Sequence, residues 1–97
     1  MVHSLESLRE VKPRLEEIAA RHGVSNIRVF GSVARGEAKE GSDVDLLIDI
    51  SADRSLWDLI GFESETATLL GAKVEAVTIP ALHPLIASSI ARDLAAV

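Results

Sequence analysis

Two aspartates separated by a single valine, Asp43 and Asp45, are the residues of this chain best suited to hold a cation. In a β-strand, residues i and i+2 point to the same face and lie about 6–7 Å apart. Two carboxylates at that spacing repel each other unless a cation accompanies them, and their oxygen atoms suit magnesium. An isolated Asp-x-Asp is nevertheless common, and it more often marks a strand whose outer face is merely acidic.

The pair Gly31-Ser32, separated from Asp43 by ten residues, makes phosphate and metal binding the more specific interpretation. A glycine at the end of a strand allows a sharp turn and a close approach of a ligand to the backbone. Ser32 would then begin a helical turn whose hydroxyl and free N–H groups can receive phosphate oxygens. Arg35 could neutralise a phosphate. Together these residues predict that the chain binds a nucleoside triphosphate through magnesium.

The elements that must position these residues follow from the spacing of apolar side chains. Residues 4–22 have helical spacing, but Pro13 disfavours helix at Lys12 and predicts a short helix followed by a longer one. Strands are predicted for residues 26–30, 43–50 and 73–79, with one helical turn in 33–36 and a polar loop in 37–42. Further helices are predicted up to residue 70 and over 81–96. The order is therefore helix, strand, turn, strand, helix, strand, helix.

Several helix boundaries carry their own signals. Ser7 and Glu10 have capping-box spacing. Gly23 and Gly71 are suited to end helices, and Pro84 fits the first turn of the last one. Asp53 and Ser55 are alternative caps for the helix ending at residue 70. The apolar side of that helix is predicted to consist of Leu56, Leu59, Ile60, Ala67 and Leu70.

Composition limits the class of protein. Ninety-seven residues form one small domain, residues 1–97, with an aliphatic core, because only three residues are aromatic. Disulfides and thiolate metal sites are excluded because the chain has no cysteine. No apolar run approaches the ~20 residues that span a bilayer, and the amino terminus does not resemble a signal peptide. The expected location is therefore cytoplasmic, and the net charge of −5 argues against broad nucleic-acid binding.

Two segments resemble a known family: FGSVARG at residues 30–36 and GSDVDLL at residues 41–47. They are similar to the minimal nucleotidyltransferase (MNT) family of the DNA polymerase beta-like nucleotidyltransferase superfamily. The order of the predicted elements agrees along nearly the whole chain. The resemblance implies an α/β (α+β) nucleotidyltransferase fold, in which helices flank a small mixed three-stranded sheet.

The resemblance also implies a set of site residues. Asp43 and Asp45 would hold two magnesium ions, and Ser32 beside Gly31 would bind the triphosphate of ATP. A third carboxylate, from the next strand, normally helps to deprotonate the attacking hydroxyl and to bind metal, and its place here falls on Glu75. Family members usually have Asp there, and Glu is longer by one methylene, about 1.5 Å. The alternative is that Glu75 is a solvated strand residue beside Lys73.

The resemblance favours one function and leaves others open. Members of the family are commonly paired with a HEPN-domain toxin, and the MNT antitoxin adenylylates a tyrosine of that toxin with ATP and magnesium. A chain this short is expected to need a second copy or a partner protein to complete the acceptor site. The first alternative is a non-catalytic module that neutralises its partner by forming a complex. Transfer to a small molecule ranks lower, because it usually involves an extra helical domain.

The remaining polar and aromatic residues carry weaker predictions. Asp49 shares the strand face of the two aspartates but is expected to have a surface role, and Arg28 is either solvated or a phosphate contact. His22 is expected to interact with a helix dipole. Trp57 and Phe62 are expected in the core or at an interface, and an exposed Trp57 would indicate a partner surface. His3 and His83 are expected on the surface.

Overall fold

The computed structural model of the chain describes residues 4–39, 41–78 and 94–97. Helices and strands alternate in an α/β arrangement. In chain order they are α1 (Leu5–Glu10), α2 (Lys12–Arg21), β1 (Val24–Phe30), α3 (Gly31–Arg35), β2 (Val44–Ile50), α4 (Leu56–Leu70), β3 (Val74–Thr78) and β4 (Ala95–Ala96).

The first helical segment is divided in two, as Pro13 predicted. Val11 is the C-cap residue of α1, and α2 begins directly after it. Pro13 lies in the first turn of α2, where the backbone N–H groups have no partner within the helix and a missing N–H therefore has no cost. The predicted capping box of Ser7 and Glu10 is wrong. Ser4 is the N-cap residue instead and exchanges hydrogen bonds with Ser7, because the helix begins one turn earlier than the Ser7–Glu10 spacing suggested.

The sheet has the strand order β3-β2-β1-β4, with β1 antiparallel to both β2 and β4, and β2 parallel to β3. The prediction of a mixed sheet between helices is confirmed, but the sheet has four strands rather than three. The fourth strand arises because Ala95 and Ala96 pair with Val29 and Arg28. Main-chain pairing with β1 satisfies polar groups that the edge of β1 would otherwise leave unpaired.

The predicted helix 81–96 is therefore wrong at its last two residues, which belong to β4. Arg9 donates a hydrogen bond of 3.0 Å from its guanidinium to the carbonyl oxygen of Ala96, and Val97 is buried, so this segment is held by α1 and by the core. The rest of that predicted helix, including Pro84 and His83, lies outside the described residues, as does His3.

α4 covers only part of the apolar stripe that its spacing predicted, because Leu59, Ala67 and Leu70 pack against the core and the other two members do not. Phe62, Thr66 and Leu70 are its buried residues, whereas Leu56 and Ile60 of the predicted stripe are exposed. Helical spacing shows that a helix has an apolar stripe, but the contacts with the sheet decide which of two overlapping stripes is covered. The N-cap is Ser55, one of the two predicted candidates, and Gly71 ends the helix in the left-handed conformation as predicted.

The core is aliphatic apart from Phe62, as the composition predicted. Its members come from every layer of the molecule, and α2 and α4 also contact each other through the core. Among the described residues, no helix is long and apolar enough to cross a membrane. The fully buried side chains of the core are Leu8, Leu15, Val29, Val33, Val44, Leu46, Ile48 and Phe62.

Candidate active site

The strand pairing brings three of the predicted site residues to one end of the sheet. β1 and β2 are antiparallel and place Phe30 opposite Asp45, so Gly31 lies directly beside the start of β2. β2 and β3 are parallel and place Asp45 opposite Glu75. Asp45 is thus flanked by Gly31 on one side and by Glu75 on the other. This arrangement could not be read from the sequence, because thirty residues separate Asp45 from Glu75.

Gly31 is required at its position for two independent reasons. Its φ of +75° lies in the left-handed region, which strains any residue with a side chain. In addition, a Cβ atom at Gly31 would lie 2.5 Å from Oδ2 of Asp45. The backbone of the β1–α3 turn therefore passes directly against the Asp45 carboxylate, which is the close approach that the sequence predicted at this glycine.

α3 is a single helical turn, as predicted, but it begins at Gly31, two residues before the predicted range of 33–36. Its N-cap residue, Phe30, makes no side-chain capping hydrogen bond with the N–H groups of the first turn. Ser32, in that turn, is half-buried. The turn ends at Gly36 with φ of +73°, and the N–H of Glu37 donates to the carbonyl oxygen of Ser32 at 2.8 Å. This left-handed ending turns the chain away from the site.

Arg35, at the end of α3, is oriented by Glu37. Its Nε atom lies 3.1 Å from Oε2 of Glu37. The positive charge of Arg35 also lowers the pKa of Asp45, although this effect is smaller than the opposing ones described below. Arg35 therefore lies close enough to influence the acidic cluster.

Asp43 lies just before β2 and is held there by a tight turn. Ser42 closes that turn by donating its N–H to Lys39 and by accepting the N–H of Lys39 at its hydroxyl, both at 2.9 Å. The Asp43 carboxylate lies 3.9 Å from Nζ of Lys73, which is exposed. The sequence placed Lys73 beside Glu75 but gave no sign of its pairing with Asp43, which depends on the β2–β3 pairing.

The electrostatics of the site centre on Asp45. Burial raises the pKa of Asp45 above its ordinary value, and the negative charges of Glu75 and Asp43 and a hydrogen bond with the Glu75 side chain raise it further. The ionised form of Asp45 is therefore disfavoured in the protein alone. Added positive charge would relieve this repulsion.

These residues fit a divalent metal by their chemistry, since three carboxylates on adjacent strands offer the hard oxygen ligands that magnesium prefers. They are not arranged around a common point, however. Within residues 4–39, 41–78 and 94–97, no three His, Asp or Glu side chains form a group that could hold a metal ion. The metal-binding roles of Asp43, Asp45 and Glu75 therefore stay predictions.

Two other predicted residues pair with each other instead of contributing to the site. Arg28 donates from its guanidinium to Asp49 at 3.0 Å, and Asn26 donates to the same carboxylate at 3.1 Å. Asp49 is exposed and lies at the far end of β2 from Asp45. The pairing confirms the surface role expected for Asp49 and assigns Arg28 a partner other than phosphate.

One cavity of the described part of the protein lies elsewhere. It has a volume of about 390 Å³ and lies between α2, the first half of β1 and the end of the chain at Val97. None of the residues around Asp45 lines it. This cavity is therefore distinct from the candidate site at Asp45.

Comparisons with known proteins bear on the family and the fold of the chain. Residues 8–97 match the family model of the nucleotidyltransferase domain. The chain is 43% identical over 79 residues to protein adenylyltransferase MntA of Thermococcus cleftensis, a match that covers 81% of this chain and 80% of that protein. A solved structure with a provisional assignment as a minimal nucleotidyltransferase is 38% identical, has a TM-score of 0.83, and is matched over 97% of this chain and 96% of its own.

A more distant solved structure shares the fold. It is a chain from the crystal structure of a toxin–antitoxin solved with AMP-PNP. It is 14% identical to this chain, with a TM-score of 0.73 over 88% of this chain and 70% of its own. At that identity the likeness concerns the fold alone.

Proposed function

The chain belongs to the nucleotidyltransferase domain family, and we propose that it transfers AMP from ATP to a hydroxyl group on a partner protein. The position of Asp45 is the observation that supports this activity most strongly. A half-buried carboxylate lies against the Gly31 backbone and opposite Glu75, in surroundings that raise its pKa. Such crowding of acids costs stability and is typical of sites that bind cations and phosphates.

Each residue of the site has a role in this proposal. Asp43 and Asp45 would hold magnesium, which supplies positive charge to the triphosphate and to the departing pyrophosphate. The turn at Gly31 lets the triphosphate approach the backbone, where Ser32 offers hydrogen bonds, and Arg35 neutralises part of its charge. Glu75 is exposed at the edge of the cluster, where it can take a proton from an incoming hydroxyl.

The proposed reaction is a substitution at the α-phosphorus of ATP. The acceptor oxygen forms a bond to that phosphorus, and the bond from the phosphorus to the bridging β-phosphate oxygen breaks. Pyrophosphate leaves with the bonding electrons, and the proton of the acceptor hydroxyl passes to Glu75. The product is an AMP ester of the acceptor.

We propose a protein as the acceptor, and in particular a tyrosine of a HEPN-type toxin, which would make this chain an antitoxin. The similar protein of Thermococcus cleftensis is named a protein adenylyltransferase, and the distant structural neighbour belongs to a toxin–antitoxin complex. The exposed position of Glu75 also suits a large acceptor, because the hydroxyl of a partner protein can reach its carboxylate.

A second candidate is a non-catalytic module that neutralises its partner by binding it. One implication of the resemblance and one observation favour this alternative. The resemblance implies Asp at the place of Glu75, and within the described residues no three acidic or histidine side chains form a group that could hold a metal ion. Under this alternative the protein would form a stable complex and leave the partner unmodified.

One experiment distinguishes the two candidates. The full chain would be incubated with magnesium, α-labelled ATP and the product of the neighbouring gene, beside matched reactions with Asp45→Asn and Asp49→Asn. Label on the partner that is lost with Asp45→Asn but kept with Asp49→Asn would support transfer. A stable complex without label, also with manganese and with the other nucleotides, would overturn the enzymatic function and support the binding module.

A further inference from the structure

Helix α4 carries the most exposed apolar side chains that the structure describes. Trp57 is 79% exposed, Leu56 68% and Ile60 45%, and Trp57 is the sole tryptophan of the chain. A large apolar side chain on a surface is unremarkable when it is isolated. Three neighbours on the first two turns of one helix, however, form a continuous patch that is costly to leave in water.

The exposed face of α4 also lacks charge. Its exposed residues are Leu56, Trp57, Ile60, Ser64 and Thr68, and none of them can ionise. The exposed face of α2, by contrast, is mostly charged. Its exposed residues are Lys12, Pro13, Arg14, Glu16, Glu17, Ala20 and Arg21.

The three acidic residues of α4 lie on other sides of the helix, where each has a hydrogen-bond or ion-pair partner. Asp58 caps the helix through the N–H of Ser55, and Glu65 pairs with Arg21 at 2.9 Å. Glu63 accepts the N–H of Ala76, on β3, at 2.9 Å. The uncharged face is therefore bordered by acids that already have partners.

We propose that this face, formed by Leu56, Trp57, Ile60, Ser64 and Thr68, binds a second copy of the same chain and forms a two-fold symmetric dimer. In a chain with a net charge of −5, most surfaces would repel their own copy. A face without charge avoids that repulsion and requires no complementary charges from its partner. Of the exposed faces of α2 and α4, that of α4 is therefore the one at which two acidic copies can meet without placing like charges together.

The order of side chains along α4 fits an antiparallel pair of helices. With Ile60 close to the two-fold axis, Trp57 of each copy lies over Ser64 of the other, because both are three or four residues from the axis. A serine leaves room for an indole ring, and small residues allow helices to approach to about 8–10 Å. Each contact then occurs twice, as two-fold symmetry requires.

The size of the face predicts a reversible dimer. A stable interface buries about 800 Å² on each partner, whereas one short helix with a single large aromatic side chain of about 150–250 Å² offers less. We therefore expect monomer and dimer to exchange as the protein concentration changes.

The dimer would leave the candidate active site open. α4 begins after the end of β2 and returns to the start of β3, so its first turns lie at the opposite end of the sheet from Asp45 and Glu75. Fifteen residues of helix span about 22 Å. The two functions therefore use different surfaces, and the dimer does not depend on the proposed transfer reaction.

Sedimentation and fluorescence together test the proposal. Because Trp57 is the sole tryptophan, its emission reports directly on this face. We expect the full chain to shift from monomer to dimer with increasing concentration, and the Trp57 emission to move to shorter wavelength over the same range.

Charge placed opposite Trp57 provides the decisive variant. Ser64→Glu keeps the fluorescent reporter but puts a carboxylate against the electron-rich indole face of the other copy and adds to the negative charge of both chains. We expect the dissociation constant to rise by about 30-fold, the change that corresponds to a hot-spot loss of about 2 kcal/mol. Ser51→Glu adds the same charge to an exposed loop residue and should leave the dimer unchanged.

Two results would overturn the proposal. The first is a protein that stays monomeric, with solvent-exposed Trp57 emission, at all concentrations. The second is a dimer that Ser64→Glu and Ile60→Glu leave intact while circular dichroism shows both variants folded. A Trp57 emission shift that requires a different protein, with the chain alone monomeric, would also reject self-association and assign the face to that partner.

Discussion

The protein contains two groups of acids that behave in opposite ways. The first, here called the strand cluster, consists of Asp43, Asp45 and Glu75 at one end of the sheet. The second, here called the interhelical cluster, consists of Asp58 and Glu65 on α4. The strand cluster raises the pKa of one of its members, Asp45. In the interhelical cluster the pKa values of both acids are lowered.

The difference comes from the neighbours of each cluster. A backbone hydrogen bond from Ser55 lowers the pKa of Asp58, and a hydrogen bond with His22 lowers the pKa of Glu65. His22 lies between the two acids, over Gly61, where a Cβ atom would come within 2.7 Å of the imidazole ring. Glycine at position 61 thus makes room for the imidazole ring of His22.

In the strand cluster, the interactions that lower the pKa of Asp45 are weaker than those that raise it. Lys73 lies 3.9 Å from Asp43 in an exposed position, and Arg35 lowers the pKa of Asp45 less than burial and Glu75 raise it. The interhelical cluster therefore joins α2 to α4, whereas the strand cluster keeps an unmet demand for positive charge. In the proposed function, this demand is met by the cations that accompany the nucleotide.

Replacing Asp45 should give the largest effects. Asp45→Asn removes a metal ligand of the proposed reaction, and we expect transfer of label to fall by at least about 100-fold. The same change removes a crowded charge, so the free energy of unfolding without metal should rise at neutral pH. Urea denaturation beside the transfer assay measures both. A loss of transfer together with a loss of stability would show that Asp45 is structural.

Gly31 and Gly36 separate backbone strain from the contact with Asp45. Both have nearly the same φ, +75° and +73°, but only Gly31 has a neighbour where a Cβ would lie. Gly36→Ala should cost about 1–3 kcal/mol of unfolding free energy through strain alone. Gly31→Ala should cost more, and it should also reduce transfer because Asp45 must move. Equal losses of stability in the two variants would contradict the close approach of the Gly31 backbone.

The two clusters should give the stability of the protein opposite responses to pH. The pKa of Asp45 is raised by folding, so its contribution is present at low pH and is lost as pH rises through its folded pKa, above the ordinary value of about 3.9. The pKa of Glu65 is lowered, so its contribution is present above about 4.3 and is lost as pH falls through its folded pKa.

Single substitutions show whether Asp45 and Glu65 cause these two pH dependences of stability. In thermal unfolding without metal, Asp45→Asn should remove the loss of stability on raising the pH, and Glu65→Gln should reduce the loss on lowering it. Ser51→Asn, an exposed uncharged change in the loop before α4, is the control. If Asp45→Asn leaves the profile above pH 4 unchanged, Asp45 does not carry the repulsion inferred here.

Asp49 should give the smallest effect. It lies on the same strand as Asp45, but Arg28 and Asn26 both donate to its carboxylate. Because Asp49 is half exposed, Asp49→Asn should lower the free energy of unfolding by less than about 1 kcal/mol and leave transfer unchanged. A gain in stability, as expected for Asp45→Asn, would show that pairing does not distinguish the two aspartates.

Much of the local structure could be predicted from the sequence. Pro13 predicted the division between α1 and α2, the left-handed glycines ended their helices, and the alternation in residues 43–50 predicted β2. The predictions failed where distant contacts decide the outcome. Ala95 and Ala96 have no local preference for strand, and they form one because β1 offers an unpaired edge.

The candidate site shows the same division. The sequence by itself determined the chemical groups, because Gly31, Ser32 and the two aspartates are close in the chain and their spacing fixes which of them can face one ligand. Only the tertiary structure decided that Glu75 lies opposite Asp45, and that α4 covers Phe62 while exposing Trp57. The physical reason is that strand register and the buried side of a helix depend on contacts between distant segments, which the spacing within one segment does not specify.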